Sequence, residues 1–364
     1  MIMLTHVLRH LEALVSFDTR NPPRRIGTGG IFDYLGAHLP GFRIDVADHG
    51  DGAVSLLAVR GDPRRVFNVH LDTVPSSPAW SVDPHVLRVT ADRAIGLGAC
   101  DIKGAAAGLI AAANATSGDV AFLFSSDEEA NDPRCIAAFL AEDRGFTEAV
   151  IAEPTRCEAV LAHRGISSVV LKFKGEAGHA SGANALEASA LHQAMRWGGK
   201  ALDLVEAEAD AQFGGLQGLR FNVGKVEGGI KANVIAPSAE VRFGFRPLPS
   251  QDIDALHARF GACAASGALE RYEETFRGPS LPGGEAAAVE DRRQAAQALA
   301  AQLGLQVGPA VDFWTEASLF SQAGLTALVY GPGDIAQAHT ADEFVLLEQL
   351  QRYTESIVRI LGNS

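Results

Sequence analysis

The first part of the chain alternates short apolar runs with longer stretches that have helical periodicity. The runs at 66–70, 120–126 and 148–153 are apolar along most of their length. Such runs are typical of strands that are covered on both faces. Alanine-rich stretches at 104–115 and 135–142 fill the intervals and predict helices. We therefore expect an α/β fold with a mostly parallel sheet flanked by helices, of the zinc-exopeptidase type.

The pattern changes near Gly165 to strands that alternate apolar and polar residues. In chain order this region predicts a strand, a helix, two strands, a second helix and a last strand, at 168–175, 185–205, 219–229, 233–248, 250–265 and 270–276. That order predicts an α+β domain of ferredoxin-like type. A link rich in proline and glycine follows, and the first pattern then resumes. We predict a catalytic domain of residues 1–164 and 279–364, interrupted by an inserted domain of residues 165–278.

Length and charge narrow the class of protein. The chain has 364 residues, with 31 basic and 44 acidic side chains and a net charge of -13, which argues against nucleic acid or an anionic membrane as a partner. Its four cysteines are far apart and form no Cys-x-x-Cys pair. We expect reduced thiols and a cytoplasmic protein. The N-terminal stretch predicts an amphipathic helix, and no segment has the length and apolar character of a membrane span.

Polar residues follow several of the predicted strands at the point where each strand ends. The carboxyl ends of parallel strands meet at one edge of a sheet, where open α/β sheets place their sites. Taken singly, each of these residues also fits a structural role, such as a helix N-cap or a solvated loop position. Together they form a coherent set of imidazole and carboxylate ligands for two cations. The set consists of His70, Asp101, Glu129, Glu153 and His339.

Other residues suit supporting roles at such a site. Asp72 is placed to hold the second ring nitrogen of His70. Glu128 lies next to Glu129, and adjacent carboxylates after a buried strand are costly unless a cation or other partners neutralise them. A metal ligand beside a free general base accounts for this pair, and an acidic first turn of a helix accounts for it equally well. His179 lies between a glycine and small residues, which expose its imidazole in a loop.

These fragments resemble the di-zinc aminoacylase and carboxypeptidase superfamily, whose members include acetylornithine deacetylase and its acetylcitrulline-cleaving relatives. The resemblance covers nearly the whole chain, and the order of the motifs makes it specific. Leu97 and His85 depart from the usual pattern, at positions that carry no candidate ligand. The supporting segments are AEPT (152–155), FRPLP (245–249), WTEASLF (314–320) and YGPGDIAQAHTADEF (330–344).

The resemblance implies two divalent metal ions, zinc or cobalt. One would be held by His70, Asp101 and Glu153, and the other by Asp101, Glu129 and His339. Glu128 would be the general base, and Asp72 would orient His70.

The resemblance also implies a homodimer formed through the inserted domain. His179 would then act in the site of the neighbouring subunit. Asn233 and Arg246 match positions that bind the substrate carboxylate, and Thr315 and Glu316 match a stretch that lines the pocket.

The expected activity is hydrolysis of the amide of a small N-acetyl-L-amino acid, N-acetyl-L-citrulline or N-acetyl-L-ornithine, to acetate and the free amino acid in arginine biosynthesis. Two alternatives stay open at this point. One is a desuccinylase of succinyl-diaminopimelate or a dipeptidase of the same superfamily. The other is a metal-binding dimer without turnover, against which the retained Glu128 argues, because a binding protein needs no base beside its ligands.

Overall fold

The computed structural model describes residues 2–130 and 132–362, which form two compact units. The first unit contains the described parts of Met1–Leu161, Asp291–Pro309 and Thr315–Ser364. The second contains Ala162–Glu290 and Ala310–Trp314. In the described ranges, no helix is long and apolar enough to cross a membrane.

Helices and strands alternate along most of the chain. The α-helices are α1 (Ile2–Ser16), α2 (Ile31–His38), α3 (Gly104–Ala115), α4 (Arg134–Leu140), α5 (Ala185–Ala188), α6 (Ala190–Ala207), α7 (Ile253–Ala262), α8 (Val289–Gln302), α9 (Ala317–Gln322) and α10 (Leu347–Gly362). The strands are β1 (Arg43–Asp48), β2 (Val54–Arg60), β3 (Arg65–His70), β4 (Arg88–Val89), β5 (Arg93–Ile95), β6 (Val120–Ser125), β7 (Glu148–Ile151), β8 (Ile166–Lys174), β9 (Gln212–Phe213), β10 (Leu216–Gln217), β11 (Arg220–Gly228), β12 (Ser238–Arg246), β13 (Leu269–Gly278), β14 (Thr326–Val329) and β15 (Phe344–Leu346).

The first unit is built on a six-stranded sheet with the order β1-β2-β6-β3-β7-β14. The four strands β6, β3, β7 and β14 run parallel, and β2 and β1 extend the sheet as antiparallel neighbours. Strands β6 and β7 are buried along their whole length, as expected for strands covered by helices. The predicted α/β class with a mostly parallel sheet is confirmed.

Helix α3 supports the turn that carries Asp101, one of the candidate ligands. Its residues from Gly104 to Ala113 are all buried, and α1 and α10 pack against it. Small side chains allow this close packing, because a Cβ on Gly108 would lie 2.9 Å from Cδ1 of Tyr353. The wide turn at Ala99–Lys103 leads directly into α3. The packing of α3 therefore holds this turn, which carries Asp101, against the core.

The second unit contains a four-stranded sheet with the order β11-β12-β8-β13, and all its pairs are antiparallel. Helices α6 and α7 pack on one face through Trp197, Leu256 and Phe260. Apart from the short helix α5 and the separate pair β9 and β10, the order of elements along the chain is strand, helix, two strands, helix and strand, as the ferredoxin-like arrangement requires.

Two helices differ from the sequence-based prediction. The stretch 185–205 forms two helices, because Ser189 is extended and its Oγ accepts a hydrogen bond from the amide of His192 at the start of α6. Ser and Thr at such positions favour a new helix start. The last helix begins at Leu347 and not near 343, because Phe344–Leu346 forms β15 and pairs with β5 in a small separate sheet. The antiparallel edge formed by β1 and β2 was also not predicted.

Candidate metal centre

The candidate site lies at the carboxyl ends of the parallel strands of the first unit. Strand β3 ends at His70, which pairs with Ser125 at the end of β6. Asn68 of β3 pairs with Ile151, the last residue of β7. This register aligns the strand ends, so the loops after β6 and β7 deliver their carboxylates next to His70. The structure therefore explains why candidate ligands that are far apart in sequence lie close together.

The first ligand group is buried. It consists of His70, Asp101 and Glu153, whose ligand atoms all lie within 4.8 Å of one another. Nε2 of His70 is 3.2 Å from Oδ1 of Asp101. Two of the three members stand at strand ends, and the third lies in the turn before α3.

The second ligand group shares Asp101 with the first. It consists of Asp101, Glu129 and His339, and its ligand atoms also lie within 4.8 Å of one another. Nε2 of His339 is 3.3 Å from Oδ2 of Asp101 and 2.9 Å from Oε1 of Glu129. Asp101 thus offers one oxygen to each group. The side chain of His339 is 53 % exposed, whereas that of Asp101 is 8 % exposed.

The pKa values of these side chains are strongly shifted, because buried acids and imidazoles lie close together. Burial raises the pKa of Glu153 well above its usual value, and it raises that of Glu128 to about 8 although the charge of His70 opposes the shift. Hydrogen bonds to Asp101 and Glu129 raise the pKa of His339 to about 10. Burial alone would lower the pKa of His70, but contacts with Asp101 and Asp72 raise it well above the usual value.

Burial and mutual repulsion thus disfavour the charged forms of Glu128, Glu129 and Glu153. Divalent cations would neutralise the same acids while the imidazoles and carboxylates act as ligands. Imidazole nitrogens and carboxylate oxygens are the donors that zinc and related transition metals accept. The donor set therefore fits two cations, one in each ligand group.

Asp72 is buried behind His70 and makes more contacts than the sequence suggested. Nδ1 of His70 is 3.0 Å from the carbonyl oxygen of Asp72 and 3.5 Å from its carboxylate Oδ1. The other carboxylate oxygen, Oδ2, accepts hydrogen bonds from Nδ2 of Asn21 at 2.9 Å and from the amide of Glu129 at 3.0 Å. Asp72 therefore connects the His70 strand end with the backbone of the Glu129 segment. Asn21 was not recognised from the sequence, because its loop lies far from every candidate ligand along the chain.

Thr315 and Glu316 are completely buried in the first unit. Oε2 of Glu316 accepts a hydrogen bond from Oγ of Ser125 at 3.3 Å, and Oε1 has no hydrogen-bond partner among the described residues. Burial and the nearby acids Asp127 and Glu128 raise the pKa of Glu316 well above its usual value. This carboxyl group therefore lies close to the candidate centre and keeps one oxygen free to accept a hydrogen bond.

The remaining candidate residues belong to the second unit. His179 is exposed, and its Nδ1 lies 2.7 Å from Oγ of Ser181. It pairs with Val234 in an antiparallel bridge, which brings it beside Asn233. Arg246 is the last residue of β12, and burial lowers its pKa although nearby Asp312 opposes the shift. The structure thus brings His179 and Asn233 together within this unit.

An α/β sheet with two carboxylate-bridged ligand groups at its strand ends defines a class of metal-dependent hydrolases. Residues 66–363 match the model of peptidase family M20/M25/M40, so the chain belongs to this family and is a hydrolase.

Two bacterial deacetylases are similar to this chain. The chain is 70% identical over 363 residues to the N-acetyl-L-citrulline deacetylase of Xanthomonas campestris, covering 100% of this chain and 99% of that protein. It is 29% identical over 312 residues to the acetylornithine deacetylase of Klebsiella pneumoniae, covering 80% of this chain and 78% of that protein.

Solved structures share the fold of the whole chain. The aminopeptidase PepT of Bacillus cereus matches with a TM-score of 0.75 and 17% identity, covering 99% of this chain and 98% of that one. The YXEP protein of Bacillus subtilis, described as a dinuclear metal-binding peptidase of the M20 family, matches with a TM-score of 0.66 and 14% identity, covering 100% and 98%. At these identities the likeness extends to the fold alone.

Proposed function

We propose that this enzyme hydrolyses the amide of N-acetyl-L-citrulline to acetate and citrulline, as a step of arginine biosynthesis in the cytoplasm. The observation that carries the proposal is the 70% identity to a protein of that activity, over all of this chain. The acetylornithine deacetylase relative is 29% identical, so N-acetyl-L-ornithine is the second candidate substrate. The two peptidase structures match at 17% identity or less and share the fold alone, so the dipeptidase alternative has weaker support than the citrulline derivative.

The proposed cofactors are two divalent cations, zinc or cobalt. His70, Asp101 and Glu153 would hold one, and Asp101, Glu129 and His339 would hold the other. Bound cations would supply Lewis acidity, which lowers the pKa of a water molecule and polarises the amide carbonyl.

Glu128 is the proposed general base. It is adjacent to Glu129 of the second ligand group but belongs to neither ligand group, so its carboxylate remains available for proton transfer. In this role its carboxylate takes the proton of the attacking water and returns it to the leaving nitrogen. Asp72 supports it indirectly, because its contact with the amide of Glu129 holds the adjacent backbone.

Residues of the second unit are proposed to bind the substrate. The guanidinium of Arg246 can hold the α-carboxylate of an acylated amino acid through paired hydrogen bonds, and Asn233 would add an amide donor. His179 would donate a hydrogen bond to the oxyanion that forms at the carbonyl carbon. In the first unit, the free oxygen of Glu316 and the adjacent Thr315 are proposed to line the pocket.

We also propose a homodimer formed through the second unit. Strand β11 is an edge of the four-stranded sheet, and nearly all its residues are exposed. Its Val226 is 53% exposed, and Ile230 in the turn that follows is 75% exposed. An exposed edge strand with apolar side chains favours pairing with another chain, and a second copy related by a two-fold axis would cover it.

The substrate is tested with a panel of N-acetyl and N-succinyl amino acids. Acetate or succinate release is measured after addition of zinc or cobalt, and a Glu128→Gln variant controls for contaminating hydrolases. We expect the highest kcat/KM on N-acetyl-L-citrulline. Faster turnover of N-acetyl-L-ornithine, a dipeptide or a succinylated substrate would replace the proposed substrate.

The role of His179 is tested by subunit complementation. An inactive His179→Ala chain is mixed with an inactive Glu128→Gln chain, and subunit exchange is verified. If His179 serves the neighbouring site, a heterodimer has one intact site and regains up to about half of the wild-type activity, by counting sites in a two-fold dimer. No recovery after exchange would exclude the role across subunits, and a monomer in sedimentation would exclude the dimer.

A further inference from the structure

Glu343 is a buried carboxylate that lies against the segment carrying Asp101. Its Oε1 accepts hydrogen bonds from the amides of Cys100 at 2.8 Å and Asp101 at 2.9 Å, and its Oε2 accepts one from the amide of Gly98 at 3.0 Å. The residue is only 2% exposed. A carboxylate at such depth is costly unless hydrogen bonds compensate for the lost water. Three backbone donors supply that compensation here.

The Glu343 carboxylate accepts hydrogen bonds from backbone amides around Asp101 that would otherwise lack a partner in the helix. Asp101 and Ile102 have non-helical dihedral angles, with φ -120° and ψ 85° at Asp101. Amides at the start of a helix have no carbonyl partner within the helix. The Glu343 carboxylate provides that partner for the amide of Asp101 itself. The orientation of the Asp101 side chain, which offers one oxygen to His70 and the other to His339, depends on the backbone that Glu343 holds.

Glu343 also ends the loop that carries His339. Its carbonyl oxygen accepts a hydrogen bond from the amide of Gly96 at 3.0 Å, so both its main chain and its side chain bind the 96–101 segment. Within the same loop, His339 and Asp342 have positive φ angles of 60° and 54°. These are left-handed conformations that non-glycine residues adopt only when their surroundings hold them. Glu343 therefore connects the two segments that carry Asp101 and His339.

We propose that Glu343 is a positioning residue that sets the geometry of the second ligand group, Asp101, Glu129 and His339. The first group depends on it less, because His70 ends β3 and Glu153 follows β7 in the central sheet, whereas the hydrogen bonds of Glu343 go to the 96–101 segment. The second group has only loop residues besides Asp101. This inference rests on the proposed cation site, but it is independent of the proposed substrate.

The test compares metal binding by the wild-type chain, Glu343→Ala and Glu343→Gln. Metal-free proteins are titrated with Co²⁺, followed by visible absorbance and by calorimetry. Glu148→Gln is the matched control. Glu148 is a buried carboxylate of the same unit that pairs with Arg65 at 2.6 Å and Arg64 at 3.0 Å, at the opposite end of β7 from Glu153. Thermal unfolding of the metal-free proteins is measured alongside, to separate metal affinity from stability.

We expect Glu343→Ala to weaken the second equivalent of Co²⁺ by about 10- to 100-fold, as for other residues that orient metal ligands, and the first equivalent by a smaller factor. Glu343→Gln should lie between wild type and Glu343→Ala, because its amide oxygen still accepts bonds but its NH2 group opposes the amide of Gly98. Glu148→Gln should bind Co²⁺ as the wild type does. If Glu343→Ala does not fold, Glu343→Gln carries the same comparison.

Wild-type affinities in both Glu343 variants, together with a lowered unfolding temperature, would show a purely structural role and overturn the proposal. A wild-type chain that takes up one equivalent would refute the two-cation site. The proposal on Glu343 would then depend on whether Glu343→Ala weakens that single equivalent. An equal loss of affinity in Glu148→Gln would also overturn it.

Discussion

The two ligand groups share Asp101 but differ in how the chain supports their other members. His70 and Glu153 follow parallel strands whose register is set by main-chain pairing, and both are buried. Glu129 and His339 lie in loops, and the side chain of His339 is half exposed. Main-chain pairing in a buried sheet holds a ligand more rigidly than a loop does. One candidate site thus combines rigidly held side chains with more adaptable ones.

The two ligand groups should therefore differ in their affinity for cations. A buried ligand group has little competition from water, and its ligands need no ordering when a cation binds. The second group must order a solvent-exposed imidazole. We therefore expect the first group to bind its cation more tightly and to release it more slowly.

Removing the shared ligand Asp101 should abolish the difference in cation affinity between the two ligand groups. Asp101→Ala deprives both groups of an oxygen ligand, so we expect loss of both cations and activity at the background of the assay. Metal content after gel filtration and turnover of N-acetyl-L-citrulline are measured together. Asp119→Ala, an exposed carboxylate of the same unit outside both groups, is the control. Retention of one tightly bound cation by Asp101→Ala would contradict the sharing of this residue.

Removing the proposed base should leave both groups intact. Glu128→Gln preserves the size of the side chain and removes the proton acceptor, so turnover should fall about a hundredfold or more. Metal content should stay at the wild-type value, because Glu128 belongs to neither ligand group. Normal metal binding with a rate near that of the wild type would exclude Glu128 as the base.

Removing an exposed ligand should separate the two groups. His339→Ala takes away the loop imidazole of the second group, and we expect the second equivalent of metal to be lost while the first is kept. His38→Ala, which alters a histidine of helix α2 outside both groups, should keep both equivalents. Equal loss of the two equivalents in His339→Ala would remove the distinction between the groups.

Removing a supporting hydrogen bond should have the smallest effect. Asn21→Ala deletes the 2.9 Å contact to Asp72, whose carboxylate holds both the His70 strand end and the amide of Glu129. Partners of this kind change metal affinity or activity by about tenfold at the lower end. We expect a decrease of that order in kcat with little change in KM. An unchanged kcat would show that Asp72 needs no support from Asn21.

The sequence predicted those features of the fold that depend on a single local pattern of apolar residues. Apolar runs that end in His70 or precede Glu153 predicted the parallel sheet, because strand ends follow from the hydrophobic pattern, and the candidate ligands lie at one edge of that sheet. The break at Ser189 and the short strand at Phe344–Leu346 escaped prediction, because helical periodicity continues across both. Long-range hydrogen bonds could not be predicted, because they leave no local pattern in the sequence. Glu343 and Asn21 contact a backbone amide and a carboxylate that lie more than fifty residues away along the chain.

The central claim is that two ligand groups sharing Asp101 hold two cations with unequal affinity and that both support deacetylation. The most direct measurement is a stepwise titration of metal-free enzyme with Zn²⁺ or Co²⁺, in which bound metal and hydrolysis of N-acetyl-L-citrulline are recorded at every step. The account predicts two equivalents with distinct dissociation constants, and full activity only when the weaker one is bound. Undiminished turnover in the metal-free enzyme, or two equivalents of equal affinity, would contradict it.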